Sequence, residues 1–222
     1  MAVWVKICGI CRPEEARTVE RSGADALGLI FAPDSPRFVT VERAEAIVKS
    51  LSSAIAKVGV FVLPDWGKIK RTVDRLSLDI VQWHGGPLSE EESAILSEIG
   101  VPWIHAVRWS GIGTIDVSLR AGWVLVEGRS DRAPGGTGLT WNYGRLSGTR
   151  LPRPLILSGG LAPQTVGDVL RVLDPVSPFG VDVSSGVESS PGTKDEKKIM
   201  EFVKNVRDYE RQREGISGVR RR

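Results

Sequence analysis

Val5-Lys6-Ile7-Cys8-Gly9-Ile10, with Pro13-Glu14-Glu15-Ala16 close behind, is the stretch on which the reading of this chain turns. An apolar run that ends in a thiol and leads into a proline-started helix reads as a strand followed by a crossover helix. Alternation along the strand puts Lys6 and Cys8 on one face and Val5 and Ile7 on the other. In parallel α/β proteins the loops at the C-terminal ends of the strands build the site. Cys8 stands at such an end, which makes it the candidate functional centre.

The same unit repeats along the chain. Further strand candidates are Ala26 to Phe31, Lys57 to Val62, Ile80 to His84, Trp103 to Arg108, Trp123 to Glu127, Pro154 to Ser158 and Gly180 to Ser184, which with Val3 to Cys8 makes eight. Helical spacing appears in Ala44, Ile47, Val48 and Leu51, in Ile69, Val73 and Leu76, and in Val166, Val169, Leu170 and Leu173. Ser89-Glu90-Glu91-Glu92 is a capping box, with Gly100 as a stop. A last helix is expected from about Asp195 through Val206. Only the connections after strands five and six are thin: Ser110 to Arg120 holds two glycines, and Trp141 to Leu146 is barely a turn. Eight strands with crossovers allow an open doubly wound sheet or a closed barrel. No G-x-G-x-x-G follows the first strand, and the units recur without a domain-sized break, so the expectation is one α/β domain: a single (βα)8 TIM barrel with eight parallel strands.

The composition agrees with that size. The chain has 222 residues, a 41% hydrophobic share and no apolar run near the ~20 residues of a membrane helix. Its first residues lack a signal-type pattern, and two cysteines read better as thiols than as a disulfide framework, so a cytoplasmic location without membrane contact is expected. The net charge of +3 is that of the segment from Arg207 onward, which has six Arg and three acidic residues. Residues 1–206 are therefore taken as the barrel and 207–222 as a basic, frayed tail, a solvated end rather than a nucleic-acid site.

Two loops point to phosphate. Leu157-Ser158-Gly159-Gly160-Leu161 closes strand seven, and Asp182-Val183-Ser184-Ser185-Gly186-Val187-Glu188 closes strand eight. Barrels commonly hold phosphate on backbone N–H groups at these two places. Ser158, Gly159, Gly160, Ser184, Ser185 and Gly186 are the candidate phosphate-binding residues. One glycine-rich loop is usually only a tight turn; two at both positions carry more weight. Gly135-Gly136-Thr137-Gly138 after strand six is a third glycine-rich loop, suited to covering a substrate.

Lys6 to Ile10, Gly23 to Gly28, Ser35-Pro36-Arg37-Phe38-Val39, Val58 to Val62, Val81-Gln82-Trp83-His84-Gly85, Pro134 to Gly138, Leu157 to Leu161 and Gly180 to Glu188, in that order, resemble the phosphoribosylanthranilate isomerase family of tryptophan biosynthesis. The resemblance runs from about residue 3 to 206. It implies a (βα)8 barrel and an Amadori rearrangement of a small phosphorylated substrate, with no metal or organic cofactor. It also implies a Cys base, matched by Cys8, and an Asp acid at the end of strand six, where this chain has Glu127. Glutamate carries the same group one methylene further out. Asp131 is the weaker substitute, an exposed loop carboxylate on its surroundings alone. Leu139 stands where the family usually has Lys. Arg37 matches the residue that pairs with the anthranilate carboxylate; a lone loop Arg is otherwise a surface residue. His84, Gly136, Gly138 and Asp182 complete the expected substrate-binding set; outside the resemblance His84 reads as a hydrogen-bonded structural histidine, and His105 has no such context.

A thiol titrates above neutral pH, so a cysteine base needs nearby positive charge. Lys6, about 6–7 Å along the same strand face, can supply it, or can be neutralised by Asp182 of the neighbouring eighth strand; both readings stay open. Cys8-Gly9-Ile10-Cys11 also has the C-x-x-C spacing of a dithiol oxidoreductase, and an oxidised Cys8–Cys11 pair would switch the base off. Two Cys and two scattered His do not supply zinc-ligand pairs. The competing functions are a related sugar-phosphate isomerase with an altered substrate, and a silent barrel that binds a phosphorylated ligand. Monomer and homodimer are equally compatible with the sequence.

Overall fold

The computed structural model describes residues 2–52, 55–111, 115–128, 142–146, 149, 151–174 and 176–219. Gly136, Gly138, Asp131 and Leu139 lie outside the described residues. The eight strand candidates all form, as β1 (Trp4–Cys8), β2 (Ala26–Ile30), β3 (Ala56–Phe61), β4 (Ile80–Trp83), β5 (Trp103–Trp109), β6 (Trp123–Gly128), β7 (Leu155–Ser158) and β8 (Gly180–Val183). They pair in sequence order, and β1 closes the circle on β8. Every pair in the barrel is parallel, and Lys6 stands in register with Asp182 across the closure.

Alternation sorts the side chains. Outward residues such as Val5, Ile7, Leu27 and Leu29 pack under the helices. Inward residues make a separate interior cluster of Ala26, Val58, Ile80, Ile104, Ala106, Leu125 and Ile156, with Trp4, Trp123 and Phe179 below it. The Trp4 and Trp123 rings lie 6.0 and 5.7 Å from Phe179 and close the N-terminal end. The barrel is thus a filled core, closed at its N-terminal end by aromatic rings.

The helices start where the caps place them. Pro13 opens α1 (Pro13–Arg21) and Pro163 opens α5 (Pro163–Val172). Thr40 caps α2 (Val41–Lys49), Asp65 caps α3 (Trp66–Leu76), and Ser89 with Glu92 forms the capping box of α4 (Glu90–Ser97). Among the described residues no α-helix follows β5 or β6; a 3-10 turn, Tyr143–Leu146, precedes β7.

Two features differ from the sequence reading. A short antiparallel hairpin, β9 (Glu188–Ser190) with β10 (Thr193–Lys194), follows β8. Helix α6 (Glu196–Val219) runs through the boundary at 207, so the expected frayed tail does not begin there. Arg207 donates to the carbonyls of Val3 (2.8 Å) and Gly23 (3.1 Å) and to Asp25 Oδ2 (2.9 Å), and buried Tyr209 donates to Asp174 Oδ1 (2.9 Å). These anchors, to the segments just before β1 and β2 and just after α5, replace the apolar periodicity that the segment lacks. No helix among the described residues is long and apolar enough to cross a membrane.

Candidate active site

Strand alternation brings Lys6, Cys8, Asp182, Ser158, Glu127 and His84 to the interior and mouth of the C-terminal end. Lys6 is wholly buried and donates to Asp182 Oδ1 at 2.7 Å. Burial works against its ammonium, but Asp182 and then Cys8 outweigh that, and its pKa is raised. Asp182 also accepts from Ser158 Oγ at 3.3 Å.

Cys8 is buried at the end of β1. A Cβ on Gly28 of the neighbouring strand would stand 2.7 Å from its Sγ, so a side chain there would take the thiol's space. Burial pushes the thiol pKa up; Lys6 and Lys194 pull it down without reversing the shift, and Asp182 adds to the rise. Of the two readings left open, the structure favours neutralisation: Lys6 is paired, and its pull on Cys8 is outweighed. Cys8 and Cys11 are both free thiols, and Cys11 Sγ lies 3.6 Å from Gly9 O. The closed barrel excludes a thioredoxin-type fold for the C-x-x-C.

Glu127, at the end of β6, faces Arg108 and the His84 ring. Arg108 Nε of β5 donates to its Oε2 at 2.9 Å, and His84 Nε2 lies 3.3 Å from the same oxygen. His84 first and Arg108 second outweigh burial and hold the carboxyl at about 2. Alongside them a cavity of about 690 Å³ opens, lined among others by His84, Gly86, Arg108, Trp109 and Asp116. His105 is structural: Nδ1 accepts from the Ser118 N–H at 3.1 Å, Nε2 lies 3.2 Å from Gly86 O, and burial lowers its pKa.

The two glycine-rich loops meet. A Cβ on Gly186 would stand 1.9 Å from the carbonyl oxygen of Leu161, so these backbones touch only because residue 186 has no side chain. Tyr143 donates its hydroxyl to Gly159 O and steadies the strand-seven loop. The hydroxyls of Ser158 and Ser184 are both committed inside the protein, to Asp182 and to the Cys8 carbonyl (3.0 Å). Ser185 and Gly160 are exposed or nearly so at the rim.

Arg37 sits beside this group with an unexpected partner. Its Nε and Nη2 donate to Glu188 Oε1 and Oε2, each at 2.7 Å, and Lys194 Nζ donates to Glu188 Oε1 at 2.9 Å. Sequence reasoning missed Glu188 and Lys194 as site residues, as it missed Arg108 and the buried Gln82, whose Oε1 has no partner among the described residues. One signal for the first pair was present: Pro191-Gly192 between them is a turn dipeptide.

Residues 5–205 match the family model described as N-(5'phosphoribosyl)anthranilate (PRA) isomerase. The chain belongs to that family. Among the PRA isomerases it is 42% identical over 205 residues to the one from Geotalea uraniireducens, covering 91% of this chain and 98% of that protein. The crystal structure of the Thermotoga maritima PRA isomerase superposes with a TM-score of 0.79 at 35% identity, covering 93% of this chain and 99% of that one. A PRA isomerase solved in complex with reduced 1-(o-carboxyphenylamino)-1-deoxyribulose 5-phosphate superposes with a TM-score of 0.75 at 33% identity, with the same coverage.

Proposed function

We propose that this chain catalyses the Amadori rearrangement of N-(5-phosphoribosyl)anthranilate to 1-(2-carboxyphenylamino)-1-deoxyribulose 5-phosphate, a step of tryptophan biosynthesis. Membership of the isomerase family over residues 5–205 is the observation that carries this reading. The arrangement at the mouth supports it. A proton delivered to the ribose ring oxygen lets the C1′–O bond break while the anthranilate nitrogen forms a Schiff base. Removal of the C2′ proton gives an enolamine, which becomes the ketone on tautomerisation. Cys8 is the proposed base and Glu127 the proposed acid.

In the resting protein the two groups hold the opposite protons. Glu127 is ionised, and Cys8 is a thiol. Turnover needs the form with one proton moved from thiol to carboxylate, at unchanged total charge. Substrate that draws His84 and Arg108 away from Glu127 removes the causes of its low pKa and favours that form. Backbone N–H groups around Gly159, Gly160, Ser185 and Gly186 are the proposed phosphate cradle, Arg37 the carboxylate clamp, and His84 and Asp182 further pocket residues. Gly136 and Gly138 remain proposed substrate contacts on the strength of the family resemblance. A soluble phosphorylated substrate fits a cytoplasmic enzyme. Monomer and homodimer are both compatible with the Thermotoga maritima relative, solved as monomers of a dimeric isomerase.

The test is turnover of freshly generated phosphoribosylanthranilate, followed as loss of anthranilate fluorescence. Wild type should be active, and Cys8→Ala and Glu127→Ala should each lose on the order of 10² to 10⁴ in kcat. Wild type that binds the reduced product analogue without turning substrate over would reduce this barrel to a binding protein.

A further inference from the structure

Arg37 does not reach the barrel mouth as a free loop side chain. Its stem lies across Gly9, the residue after Cys8: a Cβ there would stand 2.5 Å from Arg37 Cδ. Its guanidinium is held along one edge by both oxygens of Glu188. Glu188 is held in turn. Its side chain is 4% exposed and that of Lys194 1%, and the Lys194 ammonium has three acceptors in Glu188 Oε1, Ser184 O (3.0 Å) and Ser184 Oγ (3.3 Å). Lys198 Nζ donates to the Glu188 carbonyl at 2.6 Å, and the Lys194 N–H donates to Glu15 Oε1 at 3.0 Å. The turn of the β9–β10 hairpin presses on the same loop, since a Cβ on Gly192 would stand 2.7 Å from the carbonyl oxygen of Pro36.

A guanidinium has five N–H donors in a fixed plane. Glu188 takes the Nε–H and one Nη2–H. What remains is the outer edge, two Nη1–H and one Nη2–H, and the 19% exposure of the Arg37 side chain leaves it room. That edge matches a second carboxylate with two parallel bonds. We propose that Glu188, locked by Lys194, is the positioning residue that presents only the Nη1/Nη2 edge of Arg37 to the carboxylate on the substrate's aromatic ring, and so sets the demand for that carboxylate. The inference rests on the isomerase reading and says which part of the chain enforces its substrate class.

Two substrates separate this from a merely structural role: phosphoribosylanthranilate, and the aniline counterpart made from ribose 5-phosphate and aniline, which lacks the carboxylate. Both are measured on the same preparation, so their ratio of kcat/KM does not depend on how much of a variant folds. Wild type prefers the carboxylated substrate. In Glu188→Gln the amide turns a donor toward the guanidinium and releases the fork, and displacement of the clamp by about 1 Å costs on the order of tenfold to a hundredfold of that preference. The loss should fall mainly on KM for the carboxylated substrate, because the carboxylate is held alike in ground and transition states. Glu188→Asp, which keeps the charge with a shorter reach, should recover part of it. Equal losses on both substrates, or an intact preference in Glu188→Gln, would overturn the inference while leaving the isomerase reading standing. Wild type inactive on both substrates would overturn both.

Discussion

On the β1–β8 side of the mouth, Lys6 is fully buried against Asp182, and Lys194 and Glu188 are nearly as enclosed behind Arg37. On the β4–β6 side, the side chain of Arg108 is 72% exposed and that of Glu127 is a third exposed, and a cavity opens beside them. Both sides pair opposite charges at under 3 Å, yet the pairs differ in kind. A buried pair has already lost its water, so removing one partner strands a charge; an exposed pair can exchange its partner for water or substrate at little cost. The first side is therefore built to keep its geometry, and the second to let a ligand in. The proposed base, Cys8, stands on the former side, and the proposed acid, Glu127, on the latter.

The largest effect is expected at Asp182. Asp182→Asn leaves the Lys6 ammonium buried without its counter-charge and should lower unfolding free energy by about 3–5 kcal/mol, read as a shifted urea midpoint at constant slope. It also removes a group that raises the Cys8 pKa, so alkylation of the folded variant's thiol should become fast at lower pH than in wild type. A midpoint within experimental error of wild type would mean that Lys6 does not depend on Asp182.

Glu127→Asp tests the other side. The shorter side chain should loosen contact with both His84 and Arg108, raise the carboxyl pKa from about 2, and retain activity within about a hundredfold of wild type. An aspartate variant as dead as Glu127→Ala would show that the reach of glutamate is required by this pocket.

The smallest effect is expected at Arg108. Arg108→Ala removes an exposed pair worth under ~1 kcal/mol. Glu127 has a folded pKa of about 2 against an ordinary 4.5. Its stabilising contribution is thus complete above the unfolded value and lost as pH falls toward the folded one. The variant should lose stability relative to wild type at neutral pH and converge with it as the medium is acidified. The acidic limb of its pH–rate profile should move upward. A limb that stays in place would leave His84 as the sole group holding Glu127 ionised.

The barrel itself was legible because β-strands buried on both faces must be apolar runs, and eight of them punctuated by caps and glycine turns leave few topologies. Cys8, Glu127 and the two loops of β7 and β8 could be placed at one end for the same reason. The β9–β10 hairpin was not legible: Ser189, Ser190 and Thr193 carry no alternating apolar pattern, and its worth lies in contacts to Arg37 and Glu15, which are remote in the chain. Helix α6 past 206 was hidden likewise, since Arg207 and Tyr209 are secured by residues from β1, β2 and α5 surroundings rather than by helical periodicity.

Periodicity and residue identity are local properties, and they were enough to tell which strand residues face inward and that the carboxylate closing β6 belongs to a glutamate. Which charges are paired emerged only in three dimensions: Lys6 with Asp182, Glu188 with both Arg37 and Lys194, and Glu127 with Arg108, with His84 beside it, join segments remote in the chain. The pKa shifts of Cys8 and Glu127 follow from those partners and from burial, since the energy of a charge depends on what surrounds it in space.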